Sequence, residues 1–186
     1  MNRGIDSGRT FPTLETDRLL LRETNAMDAR QLAGILSESD IGANYGFEVP
    51  VAVDTAREVI RRSRERFEMG AAIRWALARK TDNTLLGAVD VRHVNPAAGI
   101  VNIGYELAGE HRGAGLMTEA VAAVVDYIFR RSNIYRLEAR VDPANTASLA
   151  LLDRTGFQRE GVLRGAGLLM GVRHDLVVFS VLQSDL

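Results

Sequence analysis

Residues 100–120, IVNIGYELAGEHRGAGLMTEA, join two patterns that decide the fold. Up to Leu107, apolar side chains alternate with smaller or polar ones, which predicts a β-strand with one apolar face formed by Val101, Ile103, Tyr105 and Leu107. From Thr118 to Arg131, apolar residues recur at helical spacing and form one stripe, Val121, Val124, Val125 and Ile128. A second strand, YRLEARVD, follows the helix. Strand, glycine-rich turn, helix and strand together predict a crossover unit.

The turn between the strand and the helix has the features of an anion site. Gly113 and Gly115 let the backbone approach a ligand closely, and the free N–H groups at a helix start favour a negative charge. Arg112 adds a positive charge that we expect to be mobile. A pyrophosphate is the natural occupant, but the turn lacks the Gly-Lys-Ser/Thr of a P-loop and the third glycine of a dinucleotide fingerprint. Those two nucleotide sites are disfavoured, and an ordinary glycine-rich connection is the alternative.

The first third of the chain predicts a strand followed by two helices. A Leu-rich strand at 15–23 leads into a capped helix, and a loop over 42–50 follows. Thr55 and Glu58 then form a capping-box pattern that opens a helix to about Met69. The arginines of this second helix lie three or four residues from glutamates. Ion pairs on a solvent-facing surface are therefore a better interpretation than a nucleic-acid face.

The remaining segments predict further strands and one more helix. AAIRWALAR and LLGAVDVRHV flank the turn KTDNT and predict a hairpin that continues into the strand at 100–107. NTASLALLDRTGF predicts a helix from Asn145 to Thr155, with Asn145 as its cap and Gly156 in the left-handed position after its end. Two apolar runs joined near Gly171 close the chain.

The composition excludes several classes of function. The chain has 186 residues, of which 46% are hydrophobic, so it fits one domain with a sizeable core. Lys and Arg number 23, Asp and Glu 24, and a formal net charge of −1 gives no overall attraction to nucleic acid or an anionic membrane. The absence of cysteine excludes a Cys-acyl intermediate. The three histidines lack the spacing of a zinc site, so we expect no metal.

The sequence predicts no targeting or membrane-spanning segment. Residues 1–12 are mostly polar and predict a mobile tail, and residues 13–186 predict a single domain. The longest apolar stretch of a predicted helix, Ala120 to Val125, falls far short of the ~20 residues needed to span a bilayer. We therefore expect a cytoplasmic protein, monomeric or homodimeric, that binds neither membrane nor nucleic acid.

Three stretches together resemble the GNAT superfamily of acetyl-CoA-dependent N-acetyltransferases: LETDRLLLRE, IGYELAGEHRGAGLMTEAV and NTASLALLDRTGF. Within it, residues 13–183 are similar to the RimJ/RimL-like branch, which includes ribosomal-protein N-terminal acetyltransferases. The resemblance implies an α/β (α+β) fold with a central, largely antiparallel mixed sheet of about seven strands and about four helices. It also implies acetyl-CoA as co-substrate, and a strand ending at Leu107 that splays from its neighbour to form a V-shaped slot for the pantetheine arm.

The resemblance assigns residues to the cofactor. The family's pyrophosphate pattern, Arg or Gln, two residues, Gly, one residue, then Gly or Ala, falls on Arg112, Gly115 and Met117, and Met117 departs from the small final residue. Asn145 and Ser148 would face the pantetheine and thioester, although Ser148 could equally be only a helix-start residue. The complete set of expected cofactor residues is Leu107, Arg112, Gly113, Ala114, Gly115, Leu116, Met117, Thr118, Asn145 and Ser148.

The letters of the glycine-rich turn recur as RGAGLLM at 164–170. This second copy is followed by Gly171 and an alternating run, so no helix start lies behind its amides, and we expect no anion site there. The resemblance implies that it belongs, with residues 173–175, to the last two strands and their acceptor-side connection.

Acetyl transfer to an amine needs a neutral nucleophile, a polarised thioester carbonyl and a proton for the departing thiolate. Without cysteine, direct attack in a ternary complex is the expected route. We predict that Glu106 accepts the ammonium proton, directly or through water, with Asp90 and Glu138 as alternatives; Glu106 could instead be a strand-edge charge. Ser148 is predicted to donate to the sulfur, and a backbone N–H near Leu107 to polarise the carbonyl.

The sequence leaves the acceptor open. One hypothesis is acetyl transfer to a peptide or protein N-terminal amine, as the branch suggests, and another is the same chemistry on an antibiotic, polyamine or amino acid. A third is a non-catalytic CoA-binding sensor, and the presence together of Arg112, Gly113, Gly115, Asn145 and Ser148 argues against it. We expect acceptor choice in the loops 40–50 and 165–174, where Tyr45, Phe47 and Glu48 could shape a pocket for a cation.

Overall fold

Eight strands form one mixed sheet in the computed structural model, which describes residues 10–186 apart from the side chain of Val94. In chain order the strands are β1 (Leu14–Glu15), β2 (Leu19–Glu23), β3 (Ala72–Arg79), β4 (Leu85–Asn95), β5 (Ile100–Leu107), β6 (Arg136–Val141), β7 (Gln158–Leu169) and β8 (Val172–Leu182). Their order in the sheet is β1-β2-β3-β4-β5-β6-β8-β7. All neighbours are antiparallel except β5 and β6, which the predicted crossover joins in parallel. The predicted fold class and the β3–β4–β5 meander are confirmed.

Five α-helices accompany the sheet: α1 (Ala29–Leu36), α2 (Ser39–Tyr45), α3 (Val53–Glu68), α4 (Leu116–Arg131) and α5 (Thr146–Arg154). The sequence predicted about seven strands and four helices, and the additional elements are the two-residue β1 and the helix α2. α2 occupies part of the predicted loop because its glycines serve a helix. Gly42 packs against the Leu36 carbonyl, and Gly46 ends the helix in the left-handed conformation. No described helix is both long and apolar enough to cross a membrane.

The start of α3 differs from the prediction. The helix begins at Val53 with Ala52 as its N-cap, which makes no side-chain hydrogen bond, so the predicted capping box was wrong. Glu58 lies inside the helix and pairs with Arg61 and Arg62, and hydrogen bonds from these two arginines lower the pKa of Glu58 to about 2. The predicted surface of paired charges on α3 is confirmed.

Apolar clusters cover both faces of the sheet. On one face, the predicted stripe of α4 is buried against β3, β4 and β5 and meets the side chains of α5. On the other face, α1, α2 and α3 pack over small residues such as Ala76. The side chains of successive strand residues therefore point in turn to the apolar cluster that α4 and α5 cover and to the one that α1, α2 and α3 cover.

The predicted mobile tail, residues 1–12, is only partly described, because residues 1–9 lie outside the described part of the chain. The Phe11 ring lies 4.9 Å from that of Phe67 and 6.2 Å from that of Trp75. The Trp75 indole N–H donates to the Pro12 carbonyl at 2.7 Å. Phe11 and Pro12 are thus packed on the domain, and the boundary between tail and domain stays a prediction.

The strands β5 and β6 lie side by side only at their beginnings. Their register pairs Ile100 with Arg136, Val101 with Leu137 and Asn102 with Glu138, and it ends there. From Ile103 to Leu107, β5 pairs only with β4, while β6 continues along β8 to Val141. A wedge therefore opens between β5 and β6 towards the glycine-rich turn, which confirms the predicted splay.

The close approach of β4 to β5 at the end of β5 can be tested at Gly87. A Cβ at Gly87 would lie 2.1 Å from the Glu106 carbonyl oxygen and 2.9 Å from the Leu107 Cα. We expect Gly87→Ala to lower the free energy of unfolding by about 1–3 kcal/mol, because the strands must move apart. Gly34→Ala is the control: nothing lies within 4 Å of its Cβ, so helix propensity alone should raise stability by about 0.5–1 kcal/mol. Urea unfolding followed by circular dichroism measures both, and an unchanged Gly87→Ala variant would contradict the close approach.

Candidate active site

The turn that follows β5 presents an uncapped helix start. Gly113 and Gly115 are left-handed, with φ of 78° and 76°, and Gly115 is the N-cap of α4 without a side-chain hydrogen bond. Glu119 N–H donates to the Gly115 carbonyl in the first turn of the helix. The N–H groups of residues 116–118 therefore have no acceptor within the helix. Together with the helix dipole, they form a site suited to a phosphate group.

Arg112 is held in place, so the expectation of a mobile charge was wrong. Its Nε donates to the Leu107 carbonyl at 2.9 Å, and its Nη atoms lie 2.7 Å from Asp40 and 2.9 Å from Glu38. The Glu38 carboxylate also accepts from the Gly109 N–H at 2.9 and 3.0 Å. The hydrogen bond from Arg112 lowers the pKa of Asp40 below its usual range. Arg112 thus ties the turn to the start of α2.

Arg18 holds the same turn from the other side, a role that sequence reasoning missed. Its Nη1 donates to the Ala114 carbonyl at 2.8 Å, and its Nε donates to Glu119 at 2.7 Å. Burial acts to raise the pKa of Glu119, but hydrogen bonds from Thr16 and Arg18 outweigh it and lower the pKa. Arg18 stands in the quoted stretch LETDRLLLRE, but nothing in that stretch indicates a partner 96 residues away.

The start of α5 lies beside β5, and Asn145 caps it as predicted. The Asn145 side chain accepts from the Ser148 N–H at 3.0 Å. Ser148 is half-buried, and its side chain interacts with the hydroxyl of Tyr105, which lies on the part of β5 that pairs with β4 but not with β6. Burial raises the pKa of Tyr105, and Ser148 offsets part of this rise. The sequence pattern indicated Tyr105 only as an apolar strand residue, and its hydroxyl has no signature in the sequence.

Glu106 is buried in a polar triad on the face of the sheet opposite α4. Its side chain forms an ion pair with Arg74 and accepts from the Tyr45 hydroxyl at 2.9 Å. Arg74 also donates to that hydroxyl at 2.9 Å, which closes the triad. The rings of Tyr45 and Phe47 stack with their centroids 5.6 Å apart. The sequence analysis did not identify Arg74 as a site residue, because its position in an apolar strand does not indicate that it pairs with Glu106.

The two alternative carboxylates also have arginine partners. Asp90 lies over Gly104, where a Cβ would meet its Oδ1 at 2.8 Å, and is 3.1 Å from Arg92. Glu138 lies 2.7 Å from Arg136. Each of the three predicted base candidates is thus paired. Among residues 10–186, no three histidine or acidic side chains are grouped so that they could hold a metal ion.

The second copy of the glycine motif lies inside β7, as predicted. Gly165 is left-handed, with φ of 61°, and its N–H donates to Asp175 at 2.8 Å. Gly167 lies under the His174 ring, where a Cβ would come within 2.3 Å of Nε2. No helix begins at this copy, and it belongs to the β7–β8 hairpin.

Comparison with known proteins identifies the class of enzyme. Residues 18–158 match the family model of the acetyltransferase (GNAT) domain. An uncharacterized N-acetyltransferase of Bacillus subtilis (strain 168), YoaA, is 32% identical over 173 residues, which cover 93% of this chain and 98% of that protein. The ribosomal protein uS5-alanine N-acetyltransferase of Escherichia coli (strain K12) is 27% identical over 180 residues, covering 92% and 91%.

A solved structure that contains a CoA-derived ligand has the same fold as this chain. Mycobacterium smegmatis RimJ, in complex with a CoA disulfide, matches with a TM-score of 0.81 at 25% identity, over 90% of this chain and 83% of that one. The chain belongs to the GNAT acetyltransferase family. It is an acetyl-CoA-dependent N-acetyltransferase whose relatives include the RimJ/RimL-type ribosomal-protein acetyltransferases.

The burial of the Arg74–Glu106 pair predicts a large cost for removing the arginine alone. Arg74→Met leaves the Glu106 carboxylate buried without its counter-charge and should lower the free energy of unfolding by about 3–5 kcal/mol. Adding Glu106→Gln should restore much of the loss. The control is Arg57→Met, since the Arg57 and Asp54 side chains are 62% and 87% exposed, and it should cost less than about 1 kcal/mol. If urea unfolding gives equal losses for the two single variants, the pair is not energetically buried.

Proposed function

We propose that the enzyme acetylates the N-terminal amine of a peptide or protein by direct attack in a ternary complex. The observation that carries the proposal is the wedge between β5 and β6, which opens beside the uncapped start of α4. The E. coli relative, whose name specifies a ribosomal-protein alanine as its acceptor, supports an N-terminal amine. A cytoplasmic location and a monomeric or homodimeric state stay predictions.

Acetyl-CoA would lie with its pyrophosphate on the N–H groups of residues 113–118. The backbone there fits the group, because a Cβ at Gly113 would meet nothing within 4 Å, so the approach is open. Met117, which departs from the family's small residue, is 7% exposed and packs into the core, so its side chain is directed away from this approach. Arg112 would add charge from its fixed position. The proposed contacts remain those of the sequence analysis, which extend to Asn145 and Ser148.

The wedge would also hold the reacting thioester, which supplies the activated acetyl group. Ala108 N–H donates to the Leu86 carbonyl on β4 at 2.9 Å. Because successive N–H groups of a strand point to opposite sides, that of Leu107 is directed into the wedge. This supports its proposed role in polarising the carbonyl.

Glu106 remains the proposed acceptor of the ammonium proton, directly or through water. Arg74 and Tyr45 fix the carboxylate and use two of its approximately four lone-pair positions, which leaves positions for a water or an amine. Ser148 is proposed to donate to the sulfur. The predicted cation pocket at Tyr45 has less support, because the Arg74 guanidinium already lies 5.8 Å from the centre of that ring.

Thiol release tests the proposed acceptor directly. The chain has no cysteine, so every thiol that a colorimetric reagent detects comes from CoA. Lysine-free peptides with a free N-terminus should release thiol and gain an N-terminal acetyl group by mass spectrometry, whereas the same peptides with a blocked N-terminus should not. Turnover only with polyamines or aminoglycosides would reject the peptide acceptor and leave the acetyltransferase reaction intact.

The proposed pyrophosphate site predicts different effects at two matched glycines. Gly113 and Gly165 are both left-handed, and a Cβ at either position meets nothing within 4 Å, so alanine adds the same kind of backbone strain. We expect Gly113→Ala to weaken CoA binding at least tenfold in calorimetric titrations, because it disturbs the amides at the helix start. Gly165→Ala should leave binding within about twofold. Equal losses would place the pyrophosphate elsewhere.

The proposed proton chemistry predicts effects on turnover with little change in CoA affinity. Glu106→Gln should lower kcat by about 10²–10⁴-fold and remove the acidic limb of the pH–rate profile. Ser148→Ala should lower kcat about tenfold if the serine only hydrogen-bonds the sulfur. If the acidic limb persists in Glu106→Gln, the proton passes to water or another group; unchanged turnover in Ser148→Ala would make Ser148 a helix-start residue alone.

A further inference from the structure

Arg140 differs from the other arginines around the proposed site. Arg18, Arg112 and Arg136 each donate to a carboxylate at 2.7 Å. The Arg140 side chain, in contrast, makes no hydrogen bond within residues 10–186. Its guanidinium only approaches the Glu138 carboxylate, at 3.6 Å, and Arg136 already holds that carboxylate. Arg140 therefore has a positive charge and hydrogen-bond donors that no contact within the described part of the chain uses.

Arg140 lies on β6 and points to the same face of the sheet as Glu106. Ala139 and Val141 belong to the apolar cluster that α4 and α5 cover, so the Arg140 side chain between them points to the opposite face. The carboxylate of Glu106, the proposed proton acceptor, lies on that face as well. The Arg140 side chain is 44% exposed there. An acceptor whose amine reaches Glu106 therefore has Arg140 on the same side of the sheet.

Arg140 also borders the wedge. The register of β5 and β6 ends at Asn102 and Glu138, so no strand pairs with β6 on that side of Arg140. Continued by two residues, the same register would put Arg140 opposite Gly104, and Glu106 lies about 7 Å further along β5. Because consecutive Cα atoms are about 3.8 Å apart, a peptide with its amine at Glu106 can bring its second or third residue to Arg140.

The other carboxylates near the wedge have partners of their own. Asp90 on β4 lies 3.1 Å from Arg92, and Asp142 after β6 accepts from the Ala144 N–H at 2.8 Å. Neither forms an ion pair with Arg140 within residues 10–186. A guanidinium with free donors binds a carboxylate through paired hydrogen bonds, and its charge repels a second cation. The charge at this border thus favours an acceptor with an acidic group close to its amine over a polyamine or an aminoglycoside.

We propose that Arg140 selects acceptor peptides that carry an acidic side chain at the second or third position, by pairing its guanidinium with that carboxylate. This inference rests on the proposed function, because it requires a peptide amine at Glu106. It narrows the substrate class from N-terminal amines in general to those of acidic N-terminal segments. Arg140 determines specificity in this account and takes no part in the transfer of the acetyl group or of protons.

Three lysine-free heptapeptides test the selection. Each begins with alanine, the residue that the name of the E. coli relative specifies, and they carry Glu, Gln or Arg at both the second and the third position. Thiol release gives kcat/KM for each peptide, and mass spectrometry verifies that the acetyl group is on the N-terminus. The parent should prefer the Glu peptide to the Gln peptide by about fivefold or more, and the Arg peptide should be the poorest acceptor.

Substitutions at Arg140 separate a role in selection from a general effect on activity. Arg140→Gln should bring the three peptides to nearly equal kcat/KM, and Arg140→Glu should reverse the order so that the Arg peptide becomes the best acceptor. The KM for acetyl-CoA should be unchanged in both variants. Arg131→Gln is the matched control, because it makes the same change of charge at an exposed arginine in the last turn of α4, and it should keep the order of the parent.

Three results would overturn the role of Arg140 and leave the proposed function intact. They are a parent that acetylates the three peptides equally, an Arg140→Gln variant that keeps the order of the parent, and a variant that loses the same factor on every peptide. The last result would mean that the guanidinium binds the peptide backbone or the cofactor. A parent that acetylates none of the peptides rejects the proposed peptide acceptor itself, and this inference with it.

Discussion

The parting of β5 from β6 after Asn102 is the constraint on which the rest of the structure depends. A parallel strand that loses its neighbour has backbone N–H and C=O groups without sheet partners, which is costly unless other groups satisfy them. Arg112 takes up the Leu107 carbonyl, and β4 keeps its pairing on the other side up to Leu107. The remaining edge of β5 is the surface on which we propose that the thioester lies, with its carbonyl on an N–H group.

Arginines hold the groups around this opening. Arg18 and Arg112 fix opposite sides of the glycine-rich turn, each through a carbonyl of the turn or of β5 and through carboxylates elsewhere. Arg74 performs the same task for Glu106. With the guanidinium groups fixed by carboxylates, the turn and the acid keep their geometry without a ligand, and binding costs less ordering of the chain. Fixed donors and charges of this kind are also the basis of electrostatic catalysis.

Local patterns in the sequence predicted much of the fold and the cofactor turn. The apolar stripe of α4 and the cap at Asn145 depend on spacing over a few residues, and these were correct, whereas α4 begins at Leu116, two residues before the predicted start. The splay and the cofactor came from the resemblance, not from spacing. The capping box at Thr55 failed because a short pattern competes with packing, and the helix α2 was missed because Gly42 and Gly46 also occur in loops. Arg18, Arg74 and Arg112 each bind residues in distant segments of the chain. No local pattern in a single sequence indicates such pairs.

The most direct test of the account is a crystal structure of the complex with CoA. The account predicts pyrophosphate oxygens at about 2.7–3.2 Å from N–H groups of residues 113–118, with the pantetheine arm between β5 and β6. The sulfur should then lie next to the hydroxyl of Ser148. A CoA molecule bound outside the wedge, with the amides of residues 113–118 making no contact with its phosphates, would contradict the account.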